Sequence, residues 1–174
     1  MIVDVLCDWY GKLFFAVRWN NTISQHFVAE SGVRQGSYLS PAIFNVFINV
    51  FILELRQLKI GYHICEIFLG CMLYADDIIL LSPSVKGLQL MLNKCFEITC
   101  NVAVQFNARK CHCIVIEKMY KSNIASLHLG QDLIHWCNNI RYLSVYIVSD
   151  KSVKFDFNLV KRSFYSAYNI LQLS

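Results

Sequence analysis

The chain has 174 residues, enough for one domain that buries a core without disulfides or metals. Charged residues make up 16% and apolar residues 56%, so we expect an apolar surface that a partner or further chain covers. The net charge of +4 is compatible with a polyanionic partner but does not require one, because ordinary solvated faces carry similar basic groups.

Eight cysteines are distributed along the chain. Most lie within apolar runs and no secretory leader precedes them, so we expect reduced thiols in an intracellular protein of the cytoplasm or nucleus. Cys111-His112-Cys113 carries atoms that bind zinc. However, structural zinc sites space the two ligands of a pair by two to four residues, and the sequence offers no second ligand pair to complete such a site. Buried thiols are the favoured interpretation.

An apolar stretch at residues 41–55 is the one segment that resembles a membrane span. It is shorter than the ~20 residues that a bilayer needs. Asn45, Asn49 and Glu54 also interrupt it. A buried core helix is therefore predicted, and no membrane partner is expected.

Hydrophobic spacing predicts the first elements. Apolar residues recur at three- and four-residue steps over residues 3–13, which is typical of a helix with one buried face. Residues 13–19 and 23–28 are predicted to pair as strands around Asn20-Asn21, which tolerate positive φ. This hairpin leads into a glycine-containing segment.

The next predicted element is a long helix. Ser40 is a favoured N-cap residue, and Pro41 suits the first helical position, so the helix should begin there and end near Gly61. It is apolar on most of its circumference, so we expect it to pack against a sheet on one side and other elements around it.

In the second half, apolar runs at residues 68–73 and 78–81 flank Tyr74-Ala75-Asp76-Asp77, which predicts a tight hairpin with two carboxylates. The remaining predicted elements are helices over residues 88–99 and 153–173 and strands over residues 102–106, 114–116 and 142–148.

Two adjacent aspartates at a turn repel each other and need exposure or a counter-charge. A divalent cation supplies that charge, since Mg²⁺ binds a few carboxylate oxygens together with waters and phosphates. In two-metal phosphoryl transfer, such ions activate the attacking hydroxyl and stabilise the leaving oxygen. The alternative is that Asp76-Asp77 is only a turn, because Asp is a favoured turn residue.

A second element lies upstream, in Gly32-Val33-Arg34-Gln35-Gly36-Ser37-Tyr38-Leu39-Ser40-Pro41. Two glycines around Arg34-Gln35 permit close approach to a ligand and expose backbone donors. Together with Tyr74-Ala75-Asp76-Asp77, this segment resembles the reverse transcriptases of non-LTR (LINE-like) retrotransposons, whose pattern is G-V-R-Q-G-D-P-L-S-P, a helix, then Y-A-D-D. Asn107 and Lys110 resemble the family's next segment, and Tyr142-Leu143-Ser144 its primer-grip turn.

The resemblance implies an α+β fold, with a palm-type antiparallel sheet backed by helices and a remnant of the fingers. It divides one partial reverse transcriptase domain into residues 1–31 (fingers), 32–149 (palm) and 150–174 (start of the thumb). The implied activity is RNA-directed DNA polymerisation, with RNA template, DNA primer and dNTPs as partners.

The resemblance also implies roles for seven residues. Asp76 and Asp77 would bind the catalytic Mg²⁺ (or Mn²⁺) ions, and Lys110 would protonate the leaving pyrophosphate. Tyr74 would lie beside the primer end or nucleotide. The residues that would border the nucleotide and template are Arg34, Gln35 and Gly36.

Several positions depart from the family pattern. Ser37-Tyr38 replaces Asp-Pro, while Ala103 and Ser144 replace glycines and bring Cβ atoms that cost about 1 kcal/mol where positive φ or clearance is needed. A further catalytic aspartate is expected upstream of Gly32, and Asp4 and Asp8 lie in a predicted helix, so we reject both as substitutes.

We therefore expect this chain to lack the first catalytic aspartate and most of the fingers and thumb, and to be inactive in isolation. The missing segments of the same polyprotein would be its partners. The alternative is a degenerate retroelement remnant with at most weak nucleic-acid binding.

Overall fold

The computed structural model describes residues 2–29, 32–101, 104–117 and 124–172. The chain divides into two compact units, Met1–Ile48 and Asn49–Ser174, which are described separately. The proposed division into fingers, palm and thumb stays a prediction.

The first unit begins with α1 (Ile2–Gly11) and continues with short antiparallel strand pairs. The predicted first helix is confirmed, although none of its described residues is fully buried. The strands are β1 (Phe14–Phe15), β2 (Arg18–Trp19), β3 (Thr22–Ile23) and β4 (Phe27–Val28).

The hairpin predicted around Asn20-Asn21 is confirmed, since β2 pairs with β3 and Asn20 has a φ of 52°. Its arms are not continuous strands, because the β1–β4 pair is separated from the β2–β3 pair. Between the pairs, the Val17 amide donates to Ser24 Oγ at 2.9 Å, and the Ser24 amide donates to the Val17 carbonyl at 2.9 Å. A side chain thus completes the hydrogen bonding where the ladder breaks.

Helix α2 (Ser40–Gln57) confirms the predicted long helix but corrects its ends. The Leu39 carbonyl already accepts from the Ile43 amide at 3.0 Å, so Leu39 rather than Ser40 opens the helix. The predicted cap is wrong, because Ser40 Oγ is buried and donates to the Arg34 carbonyl at 2.6 Å. Past Gln57 the chain turns at Lys59, whose φ of 53° is incompatible with a helix.

The prediction that α2 is covered all round is wrong for this chain. Ile48, Phe51 and Leu55 are buried along one stripe, whereas Val46 is 79% exposed and Leu53 is 52% exposed. The stripe follows the three- and four-residue spacing of a helix with one packed face. Apolar side chains on the other face therefore contribute to the exposed apolar surface that the composition predicted.

In its described residues, the second unit contains small sheets, two further α-helices and a 3₁₀ helix. The elements after α2 are β5 (His63–Ile64), β6 (Ile67–Phe68), β7 (Cys71–Tyr74), β8 (Asp77–Leu80), α3 (Val85–Asn101), a 3₁₀ helix (Ala108–Lys110), β9 (His112–Cys113), β10 (Leu127–Leu129), β11 (Asp132–Trp136), β12 (Asn139–Tyr142), β13 (Val145–Val148), β14 (Lys154–Asp156) and α4 (Asn158–Gln172).

Strand pairing is mostly antiparallel: β5–β6, β7–β8, β10–β11 and β12–β13–β14. Strand β9 adds to β11 in parallel. Four α-helices with small, mainly antiparallel sheets in the described residues agree with the α+β prediction at this level.

A core joins α3 to the β10–β11 sheet. Leu92 of α3 packs with Leu127, Leu129 and Ile134, all buried. Gln89 fixes the same contact through its amide, which donates to the His128 carbonyl and accepts from the His128 amide, both at 2.8 Å. The side chain thereby pairs with the strand as a neighbouring strand would.

Three predictions for the later strands are corrected. Val102 and Ala103 lie outside the described residues, and residues 104–106 form no strand; instead, the ring of Phe106 meets the buried ring of Phe51. Residues 114–116 are not a strand either, since pairing is confined to β9. The strand predicted over residues 142–148 is a hairpin, because Leu143 and Ser144 have φ of 45° and 67° and turn the chain.

The predicted final helix begins later than expected. Its first residues form β14, which pairs with β13, and Asp156 Oδ1 accepts from the Asn158 amide at 2.8 Å as α4 starts. Within the described ranges, no helix is both long enough and apolar enough to cross a membrane.

The eight cysteines are free thiols of differing exposure. Cys71 and Cys95 are buried, and burial raises the pKa of Cys71 to about 11 and that of Cys95 to about 12. These thiols are therefore protonated and unreactive near neutral pH. The buried-thiol interpretation holds in full for these two cysteines only: Cys111, Cys113 and Cys137 are partly buried, and Cys7, Cys65 and Cys100 are exposed.

Candidate active site

The two predicted carboxylates lie at the tip of the β7–β8 hairpin. Tyr74 pairs with Asp77, so the turn consists of Ala75 and Asp76 alone, and Ala75 reaches a φ of 51°. The tip is anchored by the strands behind it, where Cys71 is buried. The predicted acidic turn is thus narrower than expected, with Asp76 in the turn and Asp77 at the start of β8.

Strand β7 is held at its base by a close backbone approach at Gly70. The Gly70 carbonyl accepts from the Leu81 amide at 2.8 Å, and the Leu81 carbonyl accepts from the Tyr62 amide at 2.9 Å. A Cβ on Gly70 would lie 2.3 Å from Phe68 Cε2, closer than such atoms approach. Glycine at this position therefore leaves room for the Phe68 ring at the base of the acidic hairpin.

Both aspartate side chains are exposed. Water can therefore solvate the neighbouring negative charges, and an ion from solution can reach them. Their oxygen atoms are the hard ligands that Mg²⁺ and Mn²⁺ accept alongside waters and phosphates. In the parts of the chain that the structure describes, no three His, Cys, Asp or Glu side chains are gathered to hold a metal ion, so the hairpin offers a two-carboxylate contribution.

The predicted primer-grip turn lies within electrostatic range of the acidic hairpin. Desolvation by partial burial raises the pKa of Tyr142, and the charges of Asp77 and Tyr74 raise it further. Two segments that are far apart in sequence are thereby brought near each other within the second unit. Tyr74 is 61% exposed, so its ring is available beside the carboxylates.

Lys110 ends the 3₁₀ helix, which packs on β11. Asn107 caps this helix by accepting from the Arg109 amide at 3.1 Å, which accounts locally for the asparagine predicted as a family residue. Lys110 is exposed. Among the ion pairs of described residues, none joins Lys110 to Asp76 or Asp77.

The glycine-containing segment belongs to the first unit. The Arg34 carbonyl accepts from the Ser37 amide at 3.2 Å as well as from Ser40 Oγ, which closes a turn through Gln35-Gly36. Gly36 adopts a φ of 80°, a conformation for which glycine is favoured. The turn leaves Arg34 and Gln35 exposed.

Arg34 and Gln35 line a concavity of about 150 Å³ within the first unit. Gly32 and Val33 of the same segment also line it. No sequence pattern links the other lining residues to this segment; they are Tyr10, Leu13, Phe15 and Ala29.

Ser144 occupies the position where the resemblance placed a glycine, and it adopts a φ of 67°. Replacing Ser144 with glycine is expected to raise the free energy of unfolding by about 0.5–1 kcal/mol. Relief of the ~1–2 kcal/mol cost of left-handed backbone exceeds the ~0.5–1 kcal/mol that glycine loses in chain entropy. Urea denaturation measures the change. Ser126→Gly, at an exposed serine without positive φ, should destabilise instead, and an equal response of both variants would contradict the strain argument.

The acidic β7–β8 hairpin lies within a stretch of the chain that matches a known protein family. The family described as reverse transcriptase (RNA-dependent DNA polymerase) matches residues 2–147, which is most of the chain. The chain therefore belongs to the reverse transcriptase family.

Two relatives narrow the assignment. The chain is 31% identical over 104 residues to a retrovirus-related Pol polyprotein from the type-2 retrotransposable element R2DM of Drosophila melanogaster, covering 60% of this chain and 10% of that protein. It is also 31% identical over 85 residues to the Pol polyprotein of a type-1 retrotransposable element R2 of Nasonia vitripennis, covering 49% of this chain and 8% of that protein. The predicted relationship to non-LTR retrotransposon reverse transcriptases is confirmed, and the chain spans about a tenth of these relatives.

Proposed function

We propose that this chain contributes the catalytic palm of an RNA-directed DNA polymerase that copies an RNA template onto a DNA primer from dNTPs. The observation that carries the proposal is the β7–β8 hairpin, whose two exposed carboxylates lie inside the residues matched by the reverse transcriptase family. Residues 1–31, 32–149 and 150–174 are proposed to be a fingers remnant, the palm and the start of the thumb.

Asp76 and Asp77 are proposed to hold the catalytic metal ions. When bound there, two divalent cations would activate the primer hydroxyl and stabilise the leaving oxygen. The hairpin's own contribution is to hold two carboxylates on a short, anchored turn, so that little side-chain and backbone freedom is lost on binding. Their exposure leaves room for the waters and phosphates that complete the coordination of Mg²⁺ or Mn²⁺.

Other residues are proposed to bind or position the reactants. Tyr74, exposed beside the carboxylates, offers a ring on which a sugar or base can rest. Lys110, exposed at the end of the 3₁₀ helix, is a candidate to protonate the leaving pyrophosphate. The exposed turn with Arg34, Gln35 and Gly36 supplies a cation and backbone amides suited to phosphate.

The isolated chain is expected to extend a primer no better than background. The hairpin supplies two carboxylates, and in the described residues no third His, Cys, Asp or Glu side chain gathers with them, so the metal ions are expected to bind weakly. The measurement is extension of a labelled DNA primer on an RNA template with dNTPs and Mg²⁺ or Mn²⁺. The matched control carries Asp76→Asn and Asp77→Asn.

Extension and duplex binding together separate the polymerase proposal from a non-catalytic remnant. Robust extension that the paired Asn substitutions abolish would contradict the expected inactivity while supporting the polymerase role. Binding to an RNA–DNA duplex that weakens as salt rises is expected even without extension, because contacts to phosphates release counterions. A chain that neither extends nor binds at low salt would instead be the degenerate remnant.

A further inference from the structure

A concavity of about 290 Å³ lies within the second unit, where α3 packs on β10, and we call it the Phe96 pocket. Helix α3 contributes Phe96 and Cys100, which lie four positions apart on one helix face. The segment after α3 contributes Gln105 and Phe106, and the β10–β11 hairpin contributes Leu129 and Asp132. None of these residues belongs to the acidic hairpin or to the glycine-containing segment.

Two phenylalanine rings form part of the pocket wall. Phe96 is 43% exposed, and its ring lies against the turn between β10 and β11, where a Cβ on Gly130 would be only 2.5 Å from Phe96 Cε2. Phe106 is half-buried and is held by its ring contact with Phe51. The Phe96 ring is thus backed by protein while much of it stays open to solvent. An open aromatic face attracts cations through its quadrupole.

The charge of the pocket is negative, although the chain as a whole carries +4. Among the described residues that line it, Asp132 is the one charged side chain, and none is a lysine, arginine or histidine. Asp132 is exposed, and its backbone is held by the pairing of β11 with β10. The ion pairs of the described residues do not include it. Its carboxylate therefore favours a cationic occupant and disfavours a phosphate.

The volume of the pocket limits the size of that cation. Sites for drug-sized ligands measure about 300–1,000 Å³, so 290 Å³ is small for a nucleotide or a cofactor but holds one long side chain. A guanidinium group matches the lining best, because it is planar, stacks on aromatic faces and donates paired hydrogen bonds to a carboxylate. An ammonium group is more strongly hydrated and gains less from an aromatic wall.

We propose that the Phe96 pocket binds an arginine side chain of a partner polypeptide. The guanidinium plane rests on the Phe96 ring and donates hydrogen bonds to the Asp132 carboxylate, while the aliphatic stem contacts Phe106. Nucleic acid is a poorer occupant, because it brings phosphates to a lining whose charged group is an anion. The proposal does not depend on polymerase activity, since the pocket shares no residue with the acidic hairpin.

Cys100 reports occupancy, because its exposed thiol lines the same pocket. The test follows alkylation of Cys100 by iodoacetamide in the whole 174-residue chain while N-acetylarginine amide is titrated at constant ionic strength. The concentration that halves the alkylation rate measures the affinity. We expect Asp132→Asn to raise that concentration about tenfold, through loss of charge-assisted hydrogen bonds. Phe96→Leu, which keeps an apolar side chain but removes the ring, should raise it about two- to fivefold.

Two controls need no folded variant. N-acetylcitrulline amide, which has nearly the same shape but no charge, should not protect Cys100, and the arginine derivative should not protect the exposed Cys65. Glu66→Gln, at an exposed carboxylate beside Cys65, should leave protection of Cys100 unchanged. Equal protection by the citrulline or lysine derivative, or by the arginine derivative at Cys65, would overturn the proposal. Stronger protection by a nucleoside monophosphate or by spermidine would count equally against an arginine side chain.

Discussion

Replacing Phe51 with alanine is expected to lower the free energy of unfolding by about 3–5 kcal/mol, the usual range for truncating a buried phenylalanine. The Phe51 side chain is 0% exposed, and its ring meets that of Phe106 edge-on at 5.6 Å between centroids. The loss combines apolar transfer, a cavity and this ring contact. It is a large share of the ~5–15 kcal/mol that stabilises a typical domain.

Urea denaturation measures the loss. Alkylation provides a second readout, because the thiols of Cys71 and Cys95 are buried and react only when the second unit unfolds. Leu53→Ala is the matched control, since Leu53 lies on the same helix but is 52% exposed and should respond only weakly. A loss at Leu53 equal to that at Phe51 would show that the packed stripe of α2 is assigned wrongly.

The second large effect is expected at the acidic hairpin. Asp76→Asn or Asp77→Asn should weaken Mn²⁺ binding by about tenfold or more, and the double variant should show no binding at the hairpin. The physical reason is that each substitution removes an anionic oxygen ligand, and even changes beside metal ligands cost about 10–100-fold in affinity. Loss of the free Mn²⁺ signal in electron paramagnetic resonance measures the affinity directly.

Asp132→Asn is a closely matched control. Asp132 starts β11 after a two-residue turn and pairs with Leu129, just as Asp77 starts β8 and pairs with Tyr74. It is also exposed, but no second carboxylate precedes it. Its substitution should leave Mn²⁺ binding unchanged, whereas a similar loss at Asp132 would mean that Mn²⁺ binds exposed aspartates without regard to the paired arrangement.

Local patterns predicted the elements whose residues are consecutive. Helices α1, α2 and α3 follow from apolar spacing, and the hairpins at Asn20 and at Ala75-Asp76 follow from short apolar runs beside turn residues. Apolar spacing alone missed the hairpin at Leu143-Ser144, because neither residue is typical of a turn that needs positive φ, although the family resemblance had placed the primer-grip turn there. Residues 142–148 therefore had the apolar pattern of one continuous strand.

The residues of the candidate site also fall into two groups: those that a local sequence motif identified, and those that only the structure brought together. Tyr74, Asp76 and Asp77 were identified because their order along the chain is itself the motif. The proximity of Tyr142 to Asp77 and the lining of the concavity beside Arg34 involve residues with no shared local pattern. The roles proposed for the site residues remain predictions. These residues are Arg34, Gln35, Gly36, Tyr74, Asp76, Asp77 and Lys110.

The sequence by itself determined the family, because the glycine-containing segment and the paired aspartates are specific to reverse transcriptases of this kind. The sequence also determined where the amphipathic helices lie, because the spacing of apolar residues that defines such a helix involves only neighbouring residues. Only the tertiary structure decided which histidine meets Cys137. His112 lies 25 residues away in sequence, and the face on which each side chain falls depends on a long-range parallel register.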